Sequence, residues 1–189
     1  FKKPSGWLGD ASTLLNADKT DGHGLEADIE YIASANFWFT LGASWNSTEI
    51  NDPNLTVSPC GGGCTVTDPI ADGLAYIDGN SLPNAPEIIF NGIVNFQSDP
   101  VAKGFFGSVD WAYFSEKYFT LYESEEFKSD GLEVGLRIGY GWNRGKYEVA
   151  LFGRNILDAE IVEGGIDFNN LTGMTNEPRT IGLEFVAKF

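Results

Sequence analysis

Strict apolar–polar alternation, strand-like segments longer than soluble sheets use, and connections that alternate between short and long predict an all-β fold. Together they describe an antiparallel segment of a transmembrane β-barrel with about seven strands. Alternation is clear from the start. In residues 23–33, Leu25, Ala27, Ile29, Tyr31 and Ala33 share one face, while Glu26, Asp28 and Glu30 share the other. A helix would spread those acids around its circumference, so period two means a strand.

The next segments follow in order. Over 37–50, Phe37, Phe39, Leu41, Ala43 and Trp45 alternate with Trp38, Thr40, Gly42, Ser44 and Asn46. Ser34-Ala35-Asn36 before it is short enough for a hairpin turn. Over 86–97, Ile88, Phe90, Gly92, Val94 and Phe96 share a face, but Ile89 and Ile93 interrupt the polar side held by Asn91 and Asn95. Over 104–122, Phe105, Val109, Trp111 and Tyr113 oppose Ser108 and Asp110. The cleanest alternation is 131–142, where Leu132, Val134, Leu136, Ile138, Tyr140 and Trp142 oppose Glu133, Gly135, Arg137, Gly139 and Gly141. Asn143-Arg144-Gly145 turns the chain into 146–156, where Tyr147, Val149 and Leu151 oppose Glu148 and Arg154. Residues 179–189 close the series, with Ile181, Leu183, Phe185, Ala187 and Phe189 opposite Thr180, Gly182, Glu184 and Lys188.

The connections carry a second pattern. Links near 34–36, 98–103 and 143–145 are short, while 51–85, 123–130 and 157–178 are longer. One end of the sheet thus holds tight turns and the other holds loops, as in outer-membrane barrels with short periplasmic turns and long extracellular loops. On this reading 1–22 and 51–85 are extracellular loops.

The apolar face could meet either a soluble core or lipid. Strand length favours lipid, because soluble strands average about 5–6 residues and tilted membrane strands need roughly 9–11. Aromatics favour it too: Tyr31, Phe37, Phe96, Phe105, Tyr140, Trp142 and Tyr147 gather near the short turns, where an interfacial girdle belongs. The glycines of the polar face (Gly42, Gly135, Gly139, Gly141, Gly182) would leave voids in a packed interior but not in a wide lumen. An odd strand count leaves two open edges, which lipid does not tolerate. Residues 1–22 make a poor eighth strand because Pro4, Gly6, Gly9 and Asp10 interrupt them. The chain therefore reads as part of a larger barrel, and a complete eight-stranded barrel with a structural or adhesive role is the alternative.

Composition sets outer limits. The net charge of −15 excludes a basic nucleic-acid footprint, so no nucleic-acid partner is expected. No run approaches the roughly 18–20 apolar residues of a membrane helix.

Three places carry a family resemblance. Residues 147–160, YEVALFGRNILDAE, precede Asn176-Glu177-Pro178-Arg179-Thr180 and a final strand to Phe189. Leu82-Pro83-Asn84-Ala85-Pro86 enters a strand, and Gly24-Leu25-Glu26-Ala27-Asp28 lies within another. These resemble the C-terminal barrel segment of a TonB-dependent outer-membrane receptor. Gly153, Asn155, Asp158, Pro178, Arg179 and Phe189 hold the family's motif positions, with Ile156 where Leu is commoner. The resemblance implies a barrel of about 22 strands plugged by an N-terminal domain that nothing in residues 1–189 matches. It also implies energised uptake of a siderophore, vitamin or oligosaccharide in the cell outer membrane. The implied partners are lipid, lipopolysaccharide and, through the N-terminal part, the TonB complex. The terminal Phe189 is similar to the aromatic end that barrel-assembly machinery reads.

The sequence offers no catalytic site. His23 is the only histidine and has no partnered nucleophile. No phosphate loop, nucleophile elbow or metal-ligand cluster appears, so neither enzyme activity nor a cofactor is expected. Cys60 and Cys64 flank three glycines in the longest loop. An exported setting permits a disulfide between them, and closing so short a loop is worth about 2 kcal/mol. The loop acids Asp18, Asp21, Asp52, Asp68, Asp72, Asp78, Glu123, Glu125 and Glu126 read as a solvated exterior, with cation capture or divalent bridging to lipopolysaccharide as the alternative. The inward groups Glu26, Asp28, Glu30, Asp110, Glu133, Arg137, Glu148, Arg154 and Glu184 include both signs and should form lumen ion pairs.

Overall fold

The computed structural model describes residues 15–60, 63–167 and 171–189, and only the backbone at 166, 167 and 171. In chain order the strands are β1 (Thr20–Ser34), β2 (Phe37–Ile50), β3 (Thr56–Val57), β4 (Ile70–Ala71), β5 (Leu74–Tyr76), β6 (Ile88–Asp99) and β7 (Lys103–Tyr118). After a 3-10 turn at Glu125–Phe127 come β8 (Lys128–Trp142), β9 (Tyr147–Arg154), β10 (Val162–Asp167), β11 (Leu171–Thr175) and β12 (Thr180–Ala187). Among the described residues no helix is long and apolar enough to cross a membrane.

Seven long strands form one antiparallel meander in the order β1-β2-β6-β7-β8-β9-β12. They are the seven that period two predicts, with ends moved by a few residues. The difference is largest at β7, expected to run to 122. It stops at Tyr118, where the chain bends, although Phe119 still donates its N–H to the Phe127 carbonyl in register with the last pair. β1 begins earlier than expected, so Thr20–Gly22 are strand and not loop. Residues 1–14, with the breakers Pro4, Gly6, Gly9 and Asp10, lie outside the described residues. β1 and β12 form the two edges and are not hydrogen-bonded to each other.

Register sorts the faces. One apolar row runs Tyr31, Phe39, Val94, Val109, Leu136, Gly153 and Ile181 across all seven strands. The next row runs Ile32, Trp38, Asn95, Ser108, Arg137, Phe152 and Gly182 on the opposite face. The apolar face is the open one. On β8, Leu132, Ile138, Tyr140 and Trp142 are exposed, while Gly131, Gly135 and Gly141 between them are buried. On β9, Glu148 is 4% exposed and Leu151 is 49% exposed. A soluble sheet buries its apolar side and wets its polar side. Here the order is reversed.

The polar-face glycines, which the sequence reads as compatible with a wide lumen and not with a packed interior, have a local role. They make room for neighbours that lie across them. A Cβ on Gly135 would stand 2.5 Å from the Asp110 carboxylate, and one on Gly42 would stand 2.6 Å from Asn91.

The buried apolar cluster lies elsewhere, at the long-loop end. Ile50, Ala75, Ile77, Tyr122 and Phe127 form it. The 51–85 connection folds over it as the small sheet β3-β5-β4. β10 and β11 pair as a hairpin, and Gly165 on β10 approaches the Phe127 ring so closely that a Cβ would stand 2.7 Å away.

Candidate functional site

Three features could serve function: the polar face, the closure of the last long loop, and the cap at the long-loop end. Their geometry decides which does what.

Period two sends the acids and bases of the long strands to one face. At its turn end they pair. Arg137 donates to Glu184 at 2.5 Å, and its guanidinium lies 3.9 Å from Glu148. Glu148 also takes Lys103 and, at 3.3 Å, Lys188. Arg137 and Lys103 both lie over the Phe106 ring, at 4.7 and 4.2 Å. The expected lumen ion pairs thus form here. Lys103 was missed because its φ of 73° and a register shift between Gln97 and Asp99 break the alternation that period-two counting relies on.

Towards the loops the face is acidic, and the expected pairing fails. Glu26, Asp28, Glu30, Asp110, Glu133 and Arg154 have no ion pair among the described residues. Two clefts of about 490 Å³ open here. Asp110 and Glu133 line both, joined by Lys117, Glu163 and Asn176 in one and by Arg137, Arg154 and Glu184 in the other. Glu163 and Lys117 carry no local sequence signal, since only tertiary folding, which sets β10 against β8, brings them to one cleft.

Of the motif residues, Gly153 and Asn155 line the second cleft, but the set as a whole does different work. They close the mouth of the last loop. Asn155 is 1% exposed, with φ 46°. Its Nδ2 donates to the carbonyls of Ala159 and Glu177, and its Oδ1 accepts from the Ala159 N–H. Asp158 holds Arg179 at 3.1 Å. Gly153 leaves space for Ile156, which would stand 2.7 Å from a Cβ there. Pro178 stands beside this pair, and its carbonyl accepts from the Thr180 hydroxyl. Phe189 lies apart, fully exposed at the opposite end of the sheet. Asn176 adds a second clasp, accepting from the Ile161 N–H and donating to Glu133 and the Ala159 carbonyl. An Asn at the αL position tolerates positive φ and can bond local backbone, which explains the residue type.

The cap uses its acids structurally. Asp52 and Asp68, expected on a solvated exterior, are buried. Asp52 accepts the N–H groups of Asp18 and Asn54. Asp68 accepts from the Asn80 amide and the Glu123 N–H. Cys60 and Cys64 are joined by a disulfide and pack beside the apolar cluster. Next to Cys64, Thr65 pairs with Glu125, and its N–H and hydroxyl both donate to the Glu126 carboxylate at 2.7 and 3.0 Å. Those donors, the Thr65 N–H foremost and the Ser124 hydroxyl next, hold Glu126 down to a pKa of about 2. Glu123 shifts upward, because burial and the nearby Asp68 and Glu116 disfavour its charge.

His23 lies on β1 with its ring edge-on to Trp45 at 5.3 Å. Among the described residues no group of three or more His, Cys, Asp or Glu side chains could hold a metal ion.

This wall of seven meandering strands, with its capped loop end, can be set against known folds. The siderophore receptor PiuA from Acinetobacter baumannii superposes over 88% of this chain with a TM-score of 0.66 and 13% identity. The fold is that of a segment of a TonB-dependent receptor barrel. The ferric yersiniabactin uptake receptor FyuA from Yersinia pestis matches 90% of the chain (TM-score 0.64, 16% identity). The ferric-catecholate import receptor Fiu from E. coli K12 matches 93% (TM-score 0.60, 18% identity). The chain spans about a fifth to a quarter of each: 21%, 24% and 22%. No family model and no curated protein matches it.

Proposed function

We propose that this chain supplies barrel strands, the last in sequence, to a TonB-dependent transporter of the outer membrane. The carrying observation is the inverted wall: apolar rows lie open, while Glu148 and the glycines of β8 on the opposite face lie covered. Lipid is the solvent that satisfies such a surface, and strands contributed from outside residues 1–189 would satisfy the edges of β1 and β12. The parent protein would take up a scarce nutrient in a TonB-coupled step, with the plug and the TonB-contacting segment in its N-terminal part. A ferric siderophore is the first ligand to test, because the three matched structures are receptors of that kind. The strand wall would touch lipid, and its loop end would meet lipopolysaccharide. The Cys60–Cys64 bridge would staple the outer loop, and no catalytic role is proposed.

Uptake tests this reading. Cells carrying the full-length gene should accumulate a labelled ferric siderophore under iron limitation and lose that uptake when TonB is deleted. Uptake that is unchanged without TonB would refute coupled transport. An export-independent, water-soluble product would refute the membrane assignment.

A further inference from the structure

Two cations stand apart from the charge pairs of the polar face. Arg144 and Lys146 sit in the turn between β8 and β9, and both are exposed. Neither has an ion pair among the described residues. The acids of this end are engaged elsewhere. Glu148 meets Lys103 and Lys188, and Glu184 meets Arg137. Asp99 turns its oxygen onto the N–H groups of Val101 and Ala102.

The turn holds one of these cations in an unfavourable backbone shape. Asn143, Arg144 and Gly145 take φ of 52°, 55° and 72°. Asn and Gly suit that left-handed region, but an Arg does not. A cation kept where the backbone disfavours it points to work for its side chain.

Lys146 reaches the apolar face. Its Nζ lies 5.7 Å from the centroid of the Tyr147 ring. Tyr147 belongs to an aromatic platform. Trp142 stands 5.7 Å from it, and Phe185 lies 6.3 Å from Trp142 and 6.5 Å from Tyr147. Trp142 and Phe185 are exposed. Unanswered positive charge thus meets open aromatic surface at the rim of the wall.

We propose that this rim is a binding site for an anionic phospholipid. Its phosphate would lie at Arg144 and Lys146, and its acyl chains would run along Trp142, Tyr147 and Phe185. The inference rests on the reading that the apolar wall faces lipid. Charge complementarity selects the headgroup, because two unpaired cations favour a net negative lipid over a zwitterionic one. Continuity with the apolar face selects a lipid over a free anion, because Tyr147 joins the cation to the exposed rings. The short-turn end selects a phospholipid over lipopolysaccharide, which on the same reading lies at the long-loop end.

Full-length protein with Trp142 as its single tryptophan should be placed in phosphatidylcholine bilayers. A minor fraction of brominated phosphatidylglycerol should quench Trp142 more than the same fraction of brominated phosphatidylcholine. The ratio of affinities should be about fivefold for each cation engaged, and it should shrink as salt shortens the screening length. Arg144→Gln with Lys146→Gln should bring the ratio to about one. Trp45 as the single tryptophan, near the loop end of β2, should show no preference. Unmodified full-length protein gives a second reading. Exchanged into neutral detergent, it should retain phosphatidylglycerol through washing that strips the lipid from the double variant. Equal quenching by the two brominated lipids, or a preference unchanged in the double variant, would overturn the proposal and leave the lipid-facing wall intact. Loss of the preference on adding glycerol phosphate would also overturn it, by making the rim a site for free anions. Absence of quenching by either lipid would remove the wall and the proposal together.

Discussion

Phe127 and Ile138 lie eleven positions apart and live by opposite rules. Phe127 is 1% exposed, enclosed by Ile50, Ile77 and Tyr122 in the cap. Ile138 is 49% exposed on the strand wall, between Gly107 and Leu151 of the neighbouring strands. The cap is built as a small soluble domain, apolar inside with its acids spent on backbone N–H groups. The wall is built inside out. On the proposed reading the two ends meet different solvents, and the boundary between cap and wall would mark the water–lipid boundary.

Substitutions that respect one rule and break the other sharpen the contrast. Phe127→Ala should cost about 3–5 kcal/mol, the range for a buried aromatic. The loss should stay local: amide exchange should rise at 65–67 and 75–80 and remain unchanged in β8 and β9. Leu136→Arg, midway along the apolar face of β8, should cost about 2–4 kcal/mol in a bilayer, because a cation would face hydrocarbon. Urea titration of vesicle-inserted protein would measure it, and a value near zero would mean that the wall does not face lipid.

Asn155→Ala tests the join between the two regions. It strips donors from the carbonyls of Ala159 and Glu177. About 1–3 kcal/mol should be lost, read as earlier unfolding of the last hairpin. Glu126 should produce the smallest effect, and one confined to acid. Its folded pKa of about 2 lies below the ordinary 4.5, so its stabilisation is complete above about 4.5. It is lost as pH falls from there to about 2. Amide exchange at Thr65 should quicken over that window, and Glu126→Gln should flatten the response.

The wall was legible in the sequence because alternation is a local signal that repeats over a dozen residues. Val134, Leu136 and Ile138 announce their face without reference to any partner. The cap was not legible. Its strands are two or three residues long, too short for a period, and their pairing depends on distant Phe127 and Tyr122. The acids Asp52 and Asp68 look like solvated loop residues until the fold brings Asp18, Asn80 and Glu123 to them. At the polar face the charge set was readable, but its division was not. Arg137 and Glu148 find partners at the turn end, while Asp110 and Glu133 face clefts. The motif residues Gly153, Asn155, Asp158 and Arg179 were visible as a pattern, yet their work as a loop clasp depends on Glu177 and Arg179 folding back onto Asn155 and Asp158 across the loop.

Tryptophan quenching tests the orientation of the wall most directly. Trp111 lies in an apolar row with Gly92 and Val134, and Trp38 lies in a polar row with Asn95, three residues further along β6. Single-tryptophan versions of the full-length protein, placed in bilayers with brominated acyl chains, should show strong quenching of Trp111 and little of Trp38. Equal quenching, or quenching of Trp38 alone, would contradict the account.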